Sequence, residues 1–283
     1  MDICDLHTHS TFSDGTFTPA QIVAEGLRRK TRAVALTDHN TLAGLPEFLE
    51  AAQGTALEAI PGVEISTGYL GKEVHIVGLF LQEQKYGEVE DFLAVINRRK
   101  EESNRALVAA LNGAGYDICY QEIRERHQGN VNRAVIAAEL LKKGYIREIQ
   151  EAFQGVLSAK NGLYIPPKRI CAYNAIRFLR SIHAVPVLAH PLISLTEEEL
   201  KNFLPEAKTQ GLAAMETRYA TYTPEMSNAA CFLAQEFGLL ESGGSDFHGA
   251  KKPDVQLGSG AGNLLVTNAF AAGLEAWHRA NSG

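Results

Sequence analysis

At 283 residues with a formal net charge of −6, the chain is long enough for one large α/β barrel or two ordinary domains. It is too acidic overall for a surface built to follow a long nucleic acid duplex. Hydrophobic residues make up 45% and charged residues 21%, the balance of a folded chain and not a disordered one, and no apolar run nears the roughly 18 residues needed to cross a bilayer.

The start, Met1-Asp2-Ile3-Cys4-Asp5, has no basic segment ahead of an apolar one. Four scattered cysteines (Cys4, Cys119, Cys171, Cys231) form no C-x-x-C pair, so the expectation is a reduced, cytoplasmic protein with no membrane association. A short apolar run from Ile3 to Leu6 leads into a loop. Thr18-Pro19 reads as a helix N-cap with proline in the first turn, opening a helix over 20–29. Residues 34–37 predict a buried strand, 45–53 a helix, and 57–60 and 74–81 further strands. From 86 to 164 the rhythm changes to long helical patterns (89–112, 133–143), with Gly113-Ala114-Gly115 and Gly144-Tyr145 as C-cap signals. Strand-like runs at 185–188, 212–215 and 239–240 then alternate with helical patterns at 196–209 and 224–237. Such β-then-α repetition predicts a parallel sheet with crossover helices, closed or nearly closed into a barrel. The expected division is a barrel of 1–85 and 165–283 with an inserted helical domain, 86–164, over its active site. Between Ile96 and Lys168 there are 12 Lys or Arg against 8 Asp or Glu, leaving −10 for the remainder. Most of those charges fit a solvated helical face, with a few available to an anionic ligand.

The chemistry collects at strand ends. His7 and His9 flank Thr8, and alternation in an extended chain aims both imidazoles at one spot. Asp14 follows on the next loop. Later strands end in Asp38-His39 and Glu64, His75 opens one, His190 closes another, and Asp246-Phe247-His248 ends the last. The carboxyl ends of barrel strands converge on one face, where six imidazoles and three carboxylates would be costly to leave unpaired. Divalent cations resolve that cost, since imidazole and carboxylate ligate Mn, Fe and Zn. His127, His183 and His278 read as ordinary residues.

The strings Asp5-Leu6-His7-Thr8-His9-Ser10, Ser13-Asp14-Gly15, Thr37-Asp38-His39-Asn40-Thr41, Pro61-Gly62-Val63-Glu64, Ala189-His190-Pro191 and Gly244-Ser245-Asp246-Phe247-His248-Gly249 resemble the motifs of the PHP (polymerase and histidinol phosphatase) superfamily. The helical insertion resembles its bacterial branch of nucleoside 3',5'-bisphosphate phosphatases and short-RNA 5'-to-3' exonucleases. The resemblance implies a distorted (β/α)7 barrel. It also implies one metal on His7, His9, Glu64 and Asp246, a second on Glu64, His75 and His190, and a third on Asp14, His39 and His248. Asp38 would support these or ligate weakly. By the same resemblance, Arg133 in Gly129-Asn130-Val131-Asn132-Arg133 contacts the substrate phosphate, a role suited to its planar fork. Lys168 is a second candidate, and Arg218, after Glu216-Thr217 at an expected strand end, a third. The chain departs from the branch at Arg133-Ala134-Val135-Ile136-Ala137, where Arg-Pro-His-Ile-Ala is usual.

Three divalent ions would bring about +6 against about −3 from Asp14, Glu64 and Asp246, leaving a site fitted to a phosphate dianion plus hydroxide. The expected function is hydrolysis of a phosphate monoester of a small nucleotide, or of short RNA, by a metal-bridging hydroxide, with two to three Mn, Fe or Zn ions and no other catalytic group. Histidinol phosphatase and polymerase proofreading chemistry, an amidohydrolase-type hydrolase, and a non-catalytic binding module are the alternatives.

Overall fold

The computed structural model describes residues 2–126 and 131–282; His127, Gly129 and Asn130 lie outside the described residues. The chain divides into two compact units, Met1–Leu93 with Ile170–Gly283, and Ala94–Arg169.

The first unit is built on one seven-stranded sheet in sequential order: β1 (Cys4–Asp5), β2 (Ala33–Leu36), β3 (Glu58–Tyr69), β4 (Lys72–Leu79), β5 (Val185–Ala189), β6 (Ala214–Tyr219) and β7 (Leu240–Gly244). The backbone following β1 returns to the last strand, with Leu6 N donating to Gly243 O (3.2 Å) and Asp246 N to His7 O (2.9 Å), so the barrel is nearly closed. β2 and β5 are buried at every residue, as strands covered on both faces must be. Cys4, Leu6, Val77, Val187 and Ala214 share the core cluster.

One expectation fails. The sheet is not wholly parallel: β4 runs antiparallel to both β3 and β5. Tyr69 pairs with Lys72 across the two-residue loop Leu70-Gly71, whose φ values are 49° and 77°. Positive φ at both loop residues is the hairpin solution, whereas a parallel return needs a long crossover. The reversal sets His75, near the start of β4, opposite Ala189 at the end of β5 and Ser66 of β3.

The helices are α1 (Pro19–Arg28), α2 (Leu45–Ala52), α3 (Tyr86–Gly113), α4 (Tyr120–Arg126), α5 (Arg133–Lys142), α6 (Ile149–Gln154), α7 (Ala172–Ser181), α8 (Pro191–Ser194), α9 (Glu197–Thr209), α10 (Pro224–Glu236) and α11 (Asn268–Asn281). Thr18 caps α1 by accepting from Gln21 N, while the Gln21 side chain accepts from Thr18 N; Thr196 and Glu199 repeat this exchange at α9. None of the described helices is long and apolar enough to cross a membrane.

The second unit has its own core, with Leu107, Leu111, Ile136, Leu140 and Leu157 fully buried. Its described residues contain helices and no strand. Asn132 caps α5 by accepting from Val135 N. Tyr116 N donates to Leu111 O after α3, and Tyr145 N to Leu140 O after α5, both at 3.0 Å, past glycines at positive φ (Gly115, 94°; Gly144, 75°). These are the C-caps that the glycines predict.

Candidate metal centre

Thr8 is locked between strands, its hydroxyl donating to Ala35 O at 2.6 Å, and the two imidazoles beside it swing to the same side. Their Nε2 atoms lie 3.1 Å apart, and both residues are fully buried. His190, at the end of β5, and Asp246, beyond β7, hold φ values of 29° and 54°. These conformations cost an L-residue of order 1–3 kcal/mol and persist only where the surroundings enforce them. Here His190 N donates to Glu216 Oε2 (2.6 Å) and Asp246 N to His7 O (2.9 Å).

Glu64 lies at the middle. Its Oε2 is 3.3 Å from His7 Nε2, 3.2 Å from His9 Nε2 and 2.9 Å from His39 Nδ1, and its Oε1 is 2.8 Å from His75 Nδ1 and 3.1 Å from His190 Nε2. A carboxylate offers about four lone-pair sites, so five ring nitrogens crowd it beyond what hydrogen bonding can satisfy. Glu64 Oε2 and His39 Nδ1, although 2.9 Å apart, make no hydrogen bond, and Asp14 Oδ1 and His190 Nδ1 are likewise buried without one. Elsewhere in the cluster, His9 Nε2 is 3.1 Å from Asp246 Oδ1, and His248 Nε2 is 3.1 Å from Asp14 Oδ1.

The electrostatics are those of a site missing positive charge. Burial pushes the Glu64 carboxyl up, but His39, His75 and His7 overcome it and hold the group well below the carboxylate range. Asp246 is depressed in the same way by His9 and His7. Burial disfavours the charged form of His9 and His75, yet their carboxylate neighbours raise them to about 9 and about 10. Among the described residues, four sets could hold a metal ion: His9 with Asp14, His39 and His248; His7 with His9 and Asp246; His7 with Glu64 and His190; and His39 with Glu64 and His75. The nine expected ligands are the nine members of these sets. His39 belongs to two of them, and His75 falls with His39. Asp14, Glu64, Asp246 and four of the imidazoles line a cleft of about 340 Å³ that also takes in Tyr219, Lys251 and Lys252.

Several residues that the sequence reading passed over hold this arrangement. Glu216 Oε1 accepts from His7 Nδ1 at 2.8 Å, which assigns that proton and turns the bare Nε2 to the cluster. Asp5 accepts from Ser245 N (2.9 Å), Ser245 Oγ (2.5 Å) and Gly258 N (2.7 Å), tying β1 to the loop that carries Asp246. Asp38 accepts from Ser10 N (2.7 Å), Ser10 Oγ (2.6 Å) and Ser13 Oγ (2.5 Å), so it builds the Asp14 loop and is in none of the four sets. Tyr219 and Lys252 both donate to Asp246 Oδ2.

Arg218 is a correction. It was expected to reach the cleft, but its guanidinium bonds Cys231 Sγ of α10 (2.5 Å) and lies 3.7 Å from Glu241. A bulge in β6 between Glu216 and Arg218 breaks the alternation that would have put both on one face. Arg133 and Lys168 belong to the second unit. There the Arg133 guanidinium lies 4.4 Å from the Tyr164 ring centroid and 5.4 Å from that of Phe153, and donates to Leu157 O (3.3 Å). The Lys168 carbonyl accepts from Arg99 at 3.2 Å. His183 and His278 stay outside the cluster; the His278 ring stacks on Phe80, 5.5 Å between centroids.

Comparison with known proteins agrees with this geometry. The family described as PHP domain matches residues 5–170. The 5'-3' exoribonuclease Rnm of Salmonella typhimurium is 32% identical over 260 residues, 90% of this chain and 88% of that protein. The 3',5'-nucleoside bisphosphate phosphatase of Chromobacterium violaceum is 25% identical over 247 residues, 86% of each chain. A crystal structure from Bifidobacterium adolescentis, described as a metal-dependent phosphoesterase, superposes with a TM-score of 0.81 at 25% identity, covering 97% of this chain and 96% of that one.

Proposed function

The chain belongs to the PHP domain family, and we propose that it is a metal-dependent phosphoesterase that hydrolyses a phosphate monoester of a small nucleotide, a nucleoside 3',5'-bisphosphate or the end of a short RNA. The observation that carries this reading is the crowding of five imidazole nitrogens within 3.3 Å of Glu64, with buried donor atoms left unpaired. Cations fit there better than hydrogens do.

In this proposal His7, His9, Glu64 and Asp246 hold one ion, Glu64, His75 and His190 a second, and Asp14, His39 and His248 a third. Bound there, divalent ions supply charge to a phosphoryl group and acidify a water molecule. The protein's own groups keep the ligands aimed. Glu216 retains the His7 Nδ1 proton, and the backbone carbonyl of Asp246, 2.8 Å from His248 Nδ1, does the same for His248. That leaves Nε2 of each ring bare toward the cluster. Asp5 and Asp38 anchor the two loops that carry Asp246 and Asp14. The relatives' names support a nucleotide substrate, and the roles of Arg133 and Lys168 on its phosphate rest on the family resemblance.

Purified protein supplied with manganese is expected to release phosphate from a nucleoside 3',5'-bisphosphate faster than from histidinol phosphate, and to leave dihydroorotate intact. His9→Ala and Asp246→Ala should each abolish the release and lose bound metal. Variants that lose the metal and keep full turnover would remove the mechanism.

A further inference from the structure

Asp246 has two oxygens in different company. Oδ1 faces the cluster, 3.1 Å from His9 Nε2, 3.3 Å from His248 Nδ1 and 3.8 Å from His7 Nε2. Oδ2 accepts from the Tyr219 hydroxyl (2.7 Å) and the Lys252 ammonium (2.5 Å). Two donors use the two lone pairs of that oxygen. The carboxylate is buried, its backbone is held in the left-handed region, and Lys252 is fixed at its own amide, which donates to Gly249 O (3.1 Å). The ammonium therefore reaches Asp246 from a short turn and not from a free loop, while its side chain stays 37% exposed.

We propose that Tyr219 and Lys252 are positioning residues that restrict Asp246 to one-oxygen ligation, and that the Lys252 charge holds the ion at Asp246 more loosely than its ligands alone would. The inference rests on the metal-centre reading above. A carboxylate with a free second oxygen can chelate a cation through both atoms and lend it full charge. With that oxygen spent on a hydroxyl and an ammonium, the ligand would donate less, and more of a bound ion's charge would be left for a phosphate. A purely structural lysine would act in the opposite direction, since its loss would slacken the site.

The test measures manganese affinity of the full-length protein by chelator competition, beside phosphatase kinetics. Lys252→Met is expected to tighten manganese binding about tenfold and to lower kcat with little change in KM, with Lys252→Gln behaving alike. Lys252→Arg keeps the charge and should restore the parent affinity. Tyr219→Phe removes a neutral donor and leaves the ammonium in place, so it should tighten binding less than Lys252→Met does. Unchanged or weaker manganese binding by both neutral Lys252 variants overturns the proposal. So does a higher KM at unchanged metal affinity, which would make Lys252 a substrate contact. Tightening by Tyr219→Phe equal to that of Lys252→Met would overturn the charge argument. A parent protein that binds no divalent ion would sink the metal-centre reading as well, so the two failures are distinguishable.

Discussion

Each oxygen of Glu64 faces imidazoles from more than one strand or loop, so a change there should reach the whole cluster. Glu64→Gln keeps the shape and loses the charge; bound metal should fall to what Asp14, His39 and His248 hold without it, and phosphate release below detection, measured by elemental analysis and phosphate assay. Glu216 acts through His7. Glu216→Gln should weaken metal binding about 10–100-fold while the chain melts as before. Gly244 is a close approach, because a Cβ there would collide with the backbone and Cβ of His7; Gly244→Ala is expected to lower the melting temperature and displace His7. Eight of the nine candidate ligands were readable because each stands in a short string of unusual residues at or just beyond a strand end, and His75 because it interrupts an apolar strand. Glu216 and Lys252 were not. Alternation along Met215-Glu216-Thr217-Arg218-Tyr219 favours Arg218 as the partner of Glu216, and only the bulge, which depends on pairing with β7, turns Tyr219 inward instead. A lysine pair after Gly249 has the look of any solvated loop until the turn that aims it is known.

Local chemistry marked several elements before any tertiary contact was known. The Thr-Pro openings of α1 and α10 and the Thr196 start of α9 declare their own boundaries, and Thr196→Ala should cost about 1 kcal/mol in urea unfolding. α7 escaped the reading although Ala172, Ala175, Ile176 and Leu179 form a helical stripe. Its mixed Tyr, Asn and Arg content hid a period that burial makes plain. The direction of β4 was lost for another reason: hydrophobic pattern shows that a strand exists and says nothing about which way it runs. The turn was the signal, and Leu70-Gly71 is an uncommon version of it, since leucine resists positive φ. Gly71, at φ 77°, is the half of the turn that adopts positive φ without such strain.

Across the molecule, charge divides as the chain does: Ala94–Arg169 holds 13 Lys or Arg against 8 Asp or Glu, inside a chain whose net charge is −6. That unit rests on its own core, so Leu140→Ala should cost about 2–5 kcal/mol. The loss should register as earlier melting of the helical unit, with manganese binding by the barrel unchanged. The segment's helical character was legible in its periodicity, whereas its limits depend on contacts and not on any local mark. It leaves the sheet after β4 and returns before β5, and those two strands are hydrogen-bonded neighbours. Seventy-odd residues can therefore be lengthened, shortened or traded for another module without moving a single strand, so the helical unit and the sheet are free to change independently.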